Sequence, residues 1–129
     1  MAGYSGTPLI TKLGIKEQSV VQVLGDLLPT DLPVHSTPGA IAPFDVLLVF
    51  ITRAQALRDG ITRWGGDIAR NGGLWICWPK KTARTVIPSD ITEDLIRDVV
   101  LPLGLVDNKV CAIDELWSGL RVVWRKELR

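Results

Sequence analysis

The sequence has few of the residues on which metal, disulfide and histidine chemistry depend. Its 129 residues include two cysteines and one histidine, and these show no paired spacing of the kind that zinc ligands adopt. Cys77 and Cys111 each lie in an apolar, strand-like segment, where a reduced cysteine behaves as a small hydrophobic residue. His35 is far from both in sequence, so no cysteine–histidine nucleophile is indicated. We expect no metal and no cofactor, and we expect both cysteines to be buried and reduced.

A large excess of charge of one sign is also missing, as are long apolar segments. The net charge is +1, which argues against bulk electrostatic binding to nucleic acid or to a membrane. No apolar run approaches the roughly 18 residues of a membrane span, and the first residues lack the pattern of a signal peptide. We therefore expect a cytoplasmic protein with neither nucleic acid nor membrane as a partner. The sequence leaves the oligomeric state open.

What is present is typical of one globular domain over residues 1–129. With 47% hydrophobic and 22% charged residues, the composition is ordinary for a folded domain. A chain of this length buries about two-thirds of the surface that its unfolded form exposes. It needs no metal or disulfide to hold a core together.

Apolar runs predict the strands. Residues 44–52, FDVLLVFIT, form the clearest strand, because an unbroken apolar run indicates burial on both faces of a parallel sheet. Residues 19–25 and 74–78 are shorter runs of the same kind, and residues 32–37 are a weaker candidate strand. A closing antiparallel hairpin is predicted from DNKVCAID and GLRVVWRK, which are joined around ELWSG.

Capping residues and apolar periodicity predict the helices. A short helix is expected to begin with Thr7 as N-cap and Pro8 as first helical residue, and to end at Gly14. Two longer helices follow capping boxes, in which the side chains at N-cap and N3 bond reciprocally to the backbone. The boxes pair Thr52 with Gln55 and Asp90 with Glu93.

The helix after residue 52 combines an apolar stripe with several glycines. Each glycine costs about 1 kcal/mol relative to alanine, so either the helix breaks near Gly65 or it approaches the sheet closely there. Residues 71–73, NGG, are expected to end it. The stripe consists of Leu57, Ile61, Trp64 and Ile68.

The order of these elements predicts an α/β fold, Rossmann-like, with a mainly parallel sheet and a C-terminal antiparallel β-hairpin. Ligands bind beyond the carboxyl ends of the strands in such sheets. Gly25, Asp26 and Thr52 also fall at this edge. Eight further residues there are candidate ligand contacts: Arg53, Trp78, Lys80, Lys81, Asp114, Glu115, Trp117 and Ser118.

The chemistry of these candidates favours an anionic ligand. Lys80 and Lys81 follow a strand at the edge where helix N-termini add partial positive charge. Asp114 and Glu115 offer carboxylates, and we expect at least one lysine to face them, so that the empty site neutralises itself. Neighbouring carboxylates on a strand point to opposite sides, however, which disfavours an acid–base dyad.

Several stretches carry a resemblance to known families. YSGTPLITKLGI, WPKK and TEDLIRDVVLPLGLVDNKVCAIDELWSGLRVV resemble a bacterial domain-of-unknown-function family, number thirty fifty-two, which brings no established activity. FDVLLVF, the following helix, GGLWICWPK, GLVD and the closing hairpin are similar to the second half of class I methyltransferases that use S-adenosylmethionine. The second resemblance implies a methyltransferase-like fold. It also implies that Tyr4, Ser5 and Thr7 border the pocket.

The residues that bind the cofactor in those methyltransferases are missing. Such enzymes follow their first strand with a glycine-rich turn and their second with an acidic residue that holds the ribose. This chain has VLGDLLP, with the lone Gly25, and then VHST. The resemblance therefore implies a reduced cofactor half and a protein that is not a functional S-adenosylmethionine-dependent methyltransferase.

Two functional hypotheses follow. The first is a non-catalytic Rossmann-like module that binds a small anionic ligand or a protein partner. The alternative is an enzyme acting on a small anionic substrate, with Lys80 as clamp and Asp114 or Glu115 as base.

Overall fold

The computed structural model describes residues 7–129, which form a five-stranded mixed sheet with helices against it. The strands are β1 (Val21–Gly25), β2 (Phe44–Phe50), β3 (Ile68–Pro79), β4 (Leu105–Ala112) and β5 (Trp117–Trp124). The α-helices are α1 (Leu9–Lys12), α2 (Ala54–Asp67) and α3 (Glu93–Val100). Short 3₁₀ turns cover Lys81–Ala83, Leu101–Leu103 and Lys126–Leu128. The prediction of an α/β fold is confirmed.

The sheet has the strand order β1-β2-β3-β5-β4. β1 and β2 pair in parallel, as do β2 and β3. β5 lies between β3 and β4 and runs antiparallel to both. The carboxyl ends of β1, β2 and β3 therefore meet at one edge, which also receives the turn between β4 and β5.

Alternation along the central strands divides the core into two layers. Leu47 and Val49 of β2 pack on the face covered by α2 and α3, whereas Val46, Leu48 and Phe50 pack on the opposite face. Successive side chains of a strand point to opposite faces, so an unbroken apolar run is what a strand buried on both faces requires. The interpretation of residues 44–52 as such a strand is confirmed.

The face opposite α2 and α3 is covered partly by α1. Leu13 is buried against this face, and its carbonyl accepts a hydrogen bond from Trp75 Nε1 at 3.1 Å. The helix begins one residue later than predicted, with Pro8 rather than Thr7 at the N-cap position. Gly14, at φ +77°, ends it as expected. Tyr4 and Ser5 lie outside the described residues.

Residues 32–37 do not form a strand, so that prediction is wrong. They run beside β1, where Thr37 Oγ1 accepts the N–H of Val21 and Ser36 Oγ accepts the N–H of Val23, both at 2.9 Å. The backbone N–H of Thr37 returns one bond to the carbonyl of Val21 at 2.8 Å. Side-chain hydroxyls thus replace backbone carbonyls as acceptors along this edge. They satisfy the backbone N–H groups of β1 without a regular ladder of strand pairing.

Neither predicted capping box forms. The N-cap residue of α2 is Arg53, which makes no side-chain cap, and the N–H of Ala54 instead donates to Asp90 Oδ1 at 2.7 Å. Helix α3 is capped by Thr92, whose Oγ1 accepts the N–H of Leu95 at 3.1 Å. Asp90 was expected to start α3, but it caps α2 because the fold brings it beside that helix.

Helix α2 continues through Gly65 and ends at Asp67, and the chain enters β3 at once at Ile68. The alternative of a close approach to the sheet is confirmed, because Trp124 Nε1 donates to the carbonyl of Gly65 at 3.0 Å. The prediction that residues 71–73 end the helix is wrong. They lie inside β3, at a shift in its register against β2. None of the helices within residues 7–129 is long and apolar enough to cross a membrane.

Candidate functional site

A cleft of about 240 Å³ opens where β1 and β2 end and α2 begins. Its wall is largely apolar, with Trp64 of α2 on one side. Polar residues enter from the two strand ends: Asp26 directly after Gly25, the last residue of β1, and Thr52 and Arg53 after β2. The cleft lies at the edge where the sequence predicted a ligand. Its apolar wall includes Leu24, Leu27, Val49 and Ile51.

Gly25 shapes the floor of the cleft. Its φ of +149° is one that residues with side chains rarely adopt, and a Cβ built on it would stand 2.7 Å from the carbonyl oxygen of Phe50. Gly25 and Phe50 are paired in the ladder between β1 and β2, so their backbones cannot move apart to admit a Cβ. A glycine is therefore required where the chain leaves β1.

Three polar side chains of the cleft have no partner. Within residues 7–129, the side chains of Asp26, Thr52 and Arg53 make no hydrogen bond and no ion pair. Asp26 and Arg53 are exposed, and Thr52 is half-buried. An apolar cleft with a few convergent polar groups is the usual arrangement of a small-molecule site.

The N-terminus of α2 borders the cleft but is already capped. Asp90 Oδ1 accepts the N–H of Ala54 at 2.7 Å, which places a carboxylate against the positive end of the helix dipole. A ligand anion therefore gains little from the helix itself. Arg53 is the cation that remains available in this cleft.

Lys80 and Lys81 lie at the same sheet edge but not in the cleft. The backbone N–H of Lys80 donates to the carbonyl of Leu116 at 2.8 Å, which joins the end of β3 to the hairpin tip. The expected ion pair is not formed, since no lysine approaches Asp114 or Glu115 within ion-pair distance in the described part of the chain.

Asp114 is instead used by the hairpin itself. Its Oδ1 accepts the backbone N–H groups of Leu116 and Trp117, each at 2.8 Å. This Asx-type arrangement holds the turn between β4 and β5. Glu115 is exposed at the tip. The structure thus brings the lysine and carboxylate segments together without pairing their charges.

The two tryptophans proposed as ligand contacts lie in opposite layers of the core. Trp78 packs on the face covered by α2 and α3, and Trp117 packs on the other face, with its ring edge-on to Phe50 at a centroid distance of 5.3 Å. Ser118 is opposite Trp78 in the register of β3 and β5 and is half-buried. These side chains do not line the cleft.

Sequence reasoning placed Trp64 in the core, and it placed Asp26 and Thr52 at the ligand edge without counting them among the candidate contacts. Trp64 is half-buried and lines the cleft from the apolar stripe of α2. Its position in a periodic stripe cannot distinguish a core residue from one at the rim of the core. For Asp26 there was a signal, because an acidic residue directly after a glycine at a strand end falls where ligands bind.

The cysteines are poor nucleophiles. Cys77 is fully buried, and desolvation, followed by the nearby Cys111 and Asp114, raises the pKa of its thiol well above the ordinary value. Cys111 is half-buried rather than buried as predicted, and burial also raises its pKa. Both thiols are free. Their thiolate forms, which carry cysteine reactivity, are therefore scarce at neutral pH.

Comparisons with known proteins show the fold. No protein-family model and no curated protein matches the chain, so the resemblance to the family of unknown function stays a prediction. Ribosomal protein L11 methylase from Lactobacillus delbrueckii subsp. bulgaricus is similar in structure, with a TM-score of 0.55 and 12% identity. The match covers 91% of this chain and 75% of that one.

A second similar structure is the B. subtilis m1A22 tRNA methyltransferase TrmK, with a TM-score of 0.52 and 7% identity. The match covers 91% of this chain and 65% of that one. The chain thus has an α/β fold similar to that of methyltransferases, as the resemblance in its second half implied.

Proposed function

We propose that this protein is a non-catalytic, Rossmann-like module that binds a small anionic ligand in the cleft at the ends of β1 and β2. The observation that carries the proposal is the set of three unpartnered polar side chains, Asp26, Thr52 and Arg53, in an otherwise apolar cleft. Polar side chains that converge without satisfying one another are available to a ligand.

The lining defines the chemistry of the ligand. Arg53 favours a carboxylate or phosphate, which a guanidinium binds with two parallel hydrogen bonds. Asp26 favours a hydroxyl or amine donor on the same molecule. Trp64 and Leu24 favour an apolar or ring-shaped body. A volume of about 240 Å³ suits a small metabolite, since larger ligands occupy clefts of about 300–1,000 Å³.

The connection after β1 supports binding without methyl transfer. Between Gly25 and Phe44 the chain forms no helix and no strand, so no helix N-terminus faces the end of β1 there. We infer a methyltransferase-like fold with a reduced cofactor half. The free cysteines fit the reducing cytoplasm, which we propose as its location.

The alternative enzyme has less support. Its proposed base, Asp114, already accepts two backbone N–H groups through one carboxylate oxygen, so this carboxylate holds the hairpin turn. Lys80 and Glu115 lie outside the cleft.

A thermal-shift screen over phosphates, nucleotides and small carboxylates tests the proposal. A ligand present at a hundred times its Kd stabilises the protein by about 2.7 kcal/mol. We expect the shift to disappear in Arg53→Ala and to shrink in Asp26→Asn. Arg58→Ala, an exposed cation on α2 outside the cleft, is the matched control.

Two outcomes contradict the proposal. Either no compound in the screen stabilises the protein, or a hit stabilises Arg53→Ala as strongly as the parent. Chemical conversion of a hit, detected by chromatography of the mixture, would show that the protein is an enzyme and not a binding module.

A further inference from the structure

A second, wider groove lies at the opposite end of the sheet from the cleft. It has a volume of about 680 Å³ and forms where α2 ends, β3 begins and the last turn of the chain packs. Leu103 and Leu128 on its rim are 40% and 46% exposed, so two large apolar side chains of one groove are open to a partner. Its apolar lining consists of Pro43, Ile68, Ala69, Leu103, Trp124 and Leu128.

The last ten residues of the sequence, of which Trp124 and Leu128 line the groove, are basic. Residues 120–129 contain four basic residues and one acidic residue, a net charge of +3, so the remaining residues carry −2 of the total of +1. Such an asymmetry within a nearly neutral chain points to a local electrostatic surface. Arg70 of β3 adds one more positive charge to the groove lining.

Backbone carbonyls in and near the groove hold Arg70, Arg125 and Arg129 in place. Arg70 Nη1 donates to the carbonyl of Leu128 at 3.3 Å, and Arg129 Nε donates to the carbonyl of Trp124 at 2.7 Å. Arg125 Nη2 donates to a third carbonyl at 3.4 Å, that of Leu101, two residues before a groove residue. Each guanidinium uses one of its five N–H donors in this way and keeps the others available.

No carboxylate neutralises this cluster. Within residues 7–129, neither Arg121 nor the three held arginines form an ion pair. Arg121 of β5 alternates with Leu120 and Val122, so its side chain points to the sheet face opposite α2 and α3. Its pKa is lowered by burial and then by the positive charge of Arg129. The like charges crowd one another, and an external anion would relieve that repulsion.

We propose that this groove binds an acidic peptide segment of a partner protein, with an apolar side chain in the groove and carboxylates on Arg70, Arg125 and Arg129. The apolar floor provides buried area, and the arginines provide complementary charge at the rim. This site is independent of the cleft at the other edge of the sheet.

The groove fits nucleic acid less well. Trp124 is the single aromatic residue in its lining. The indole N–H of Trp124 is bonded to the carbonyl of Gly65, and its ring lies so close to Gly65 that an added Cβ would be 3.2 Å away. A ring packed in this way offers little free face for a base to stack on, as single-stranded nucleic acid requires.

Fluorescence anisotropy with short synthetic peptides tests the proposal. The probe peptide contains pairs of Glu residues that alternate with pairs of Leu residues. Two control peptides have the same pattern, one with Ser in place of Leu and one with Lys in place of Glu. A single-stranded oligonucleotide of equal charge is the fourth probe. We expect the Glu–Leu peptide to bind most tightly, with affinity that falls as salt increases.

Charge reversal locates the site. The double variant Arg125→Glu with Arg129→Glu should weaken binding of the Glu–Leu peptide by about tenfold or more. The matched control, Lys16→Glu with Arg58→Glu, changes the net charge equally at exposed positions away from the groove. Circular dichroism checks that both variants fold. Leu103→Ser should weaken the Glu–Leu peptide but not the Glu–Ser peptide.

Four results overturn the proposal. They are absence of saturable binding by the Glu–Leu peptide, equal binding of the Glu–Ser peptide, tighter binding of the oligonucleotide, and equal losses in the two double variants. Sedimentation of the protein alone provides a further check. A dimer that dissociates in the groove variant alone would mean that a second copy of this chain occupies the groove.

Discussion

Asp90 caps a helix that begins 36 residues before it, because its Oδ1 accepts the backbone N–H of Ala54 at 2.7 Å. The same residue donates its own N–H to the carbonyl of Thr52 at 3.4 Å. Together these two bonds fasten the segment before α3 to the start of α2. They also place a carboxylate at the one helix N-terminus that borders the cleft.

Removing this cap should destabilise the protein. Loss of an N-cap side chain costs about 0.5–2 kcal/mol. We therefore expect Asp90→Ala to lower the free energy of unfolding by this amount, as measured by urea denaturation. Asp90→Asn should retain most of the stability, since an amide oxygen can still accept the bond. Thr52→Ala, which removes the residue of the predicted capping box, should be close to neutral. A larger loss in Thr52→Ala than in Asp90→Ala would contradict the assignment.

The hairpin turn should depend on Asp114 and not on its neighbour. Asp114→Ala leaves two backbone N–H groups without their acceptor, and we expect a cost of about 1–3 kcal/mol. Glu115→Ala changes the same charge at an exposed position and should leave the melting temperature nearly unchanged. Equal melting temperatures for the two variants would show that the carboxylate of Asp114 does not hold the turn.

Two glycines should respond to alanine in opposite directions. A Cβ on Gly72 would meet the carbonyl oxygen of Phe44 at 2.8 Å and that of Asp45 at 3.0 Å, so Gly72→Ala should cost about 1–3 kcal/mol. Gly66 lies in α2 with nothing within 4 Å of such a Cβ. Gly66→Ala should therefore stabilise the protein by about 0.5–1 kcal/mol. Thermal unfolding of both variants measures the two signs, and a stabilising Gly72→Ala would be incompatible with this packing.

Stability should decline at alkaline pH because of Cys77. Burial raises the pKa of this thiol in the folded state, whereas in the unfolded chain it stays near about 8.5. The folded state therefore holds the proton more tightly, so its stability is fully present below the unfolded pKa and is lost as pH rises above it. The slope approaches about 1.4 kcal/mol per pH unit for this one group. Urea unfolding across this range should show a shallower loss in Cys77→Ala, and an unchanged slope would refute the assignment.

The protein should not bind S-adenosylmethionine usefully. The end of β1 carries the single Gly25, and no helix follows it before β2 to offer backbone donors to a cofactor. Isothermal titration calorimetry should therefore detect no binding at micromolar concentrations. Micromolar affinity would show that the cleft beside Gly25 substitutes for the missing half, and Arg53→Ala would then test whether it does so through the proposed site.

Elements that depend on burial and on local backbone preference could be predicted from the sequence. The apolar run of β2, the buried Leu57 and Ile61 of α2 and the end of α1 at Gly14 follow from residues within a few positions of one another. The predicted stripe was wrong at Ile68, which begins β3. The edge at which β1, β2 and β3 end followed too, because it depends on strand direction alone.

The pairing of polar groups, in contrast, depends on the folded arrangement of the chain. Asp90 fits a local capping box, yet it bonds to a helix that begins far earlier in the chain, and Asp114 faces its own turn rather than Lys80. Trp78 and Trp117 were both predicted to contact a ligand because each lies at a strand end. The register of β3 and β5 instead places them on opposite faces of the sheet. Hydrogen bonds are short and directional, so they depend on distances in space that the spacing of residues along the chain does not determine. Burial of apolar side chains depends on their periodicity along the chain, which the sequence shows directly.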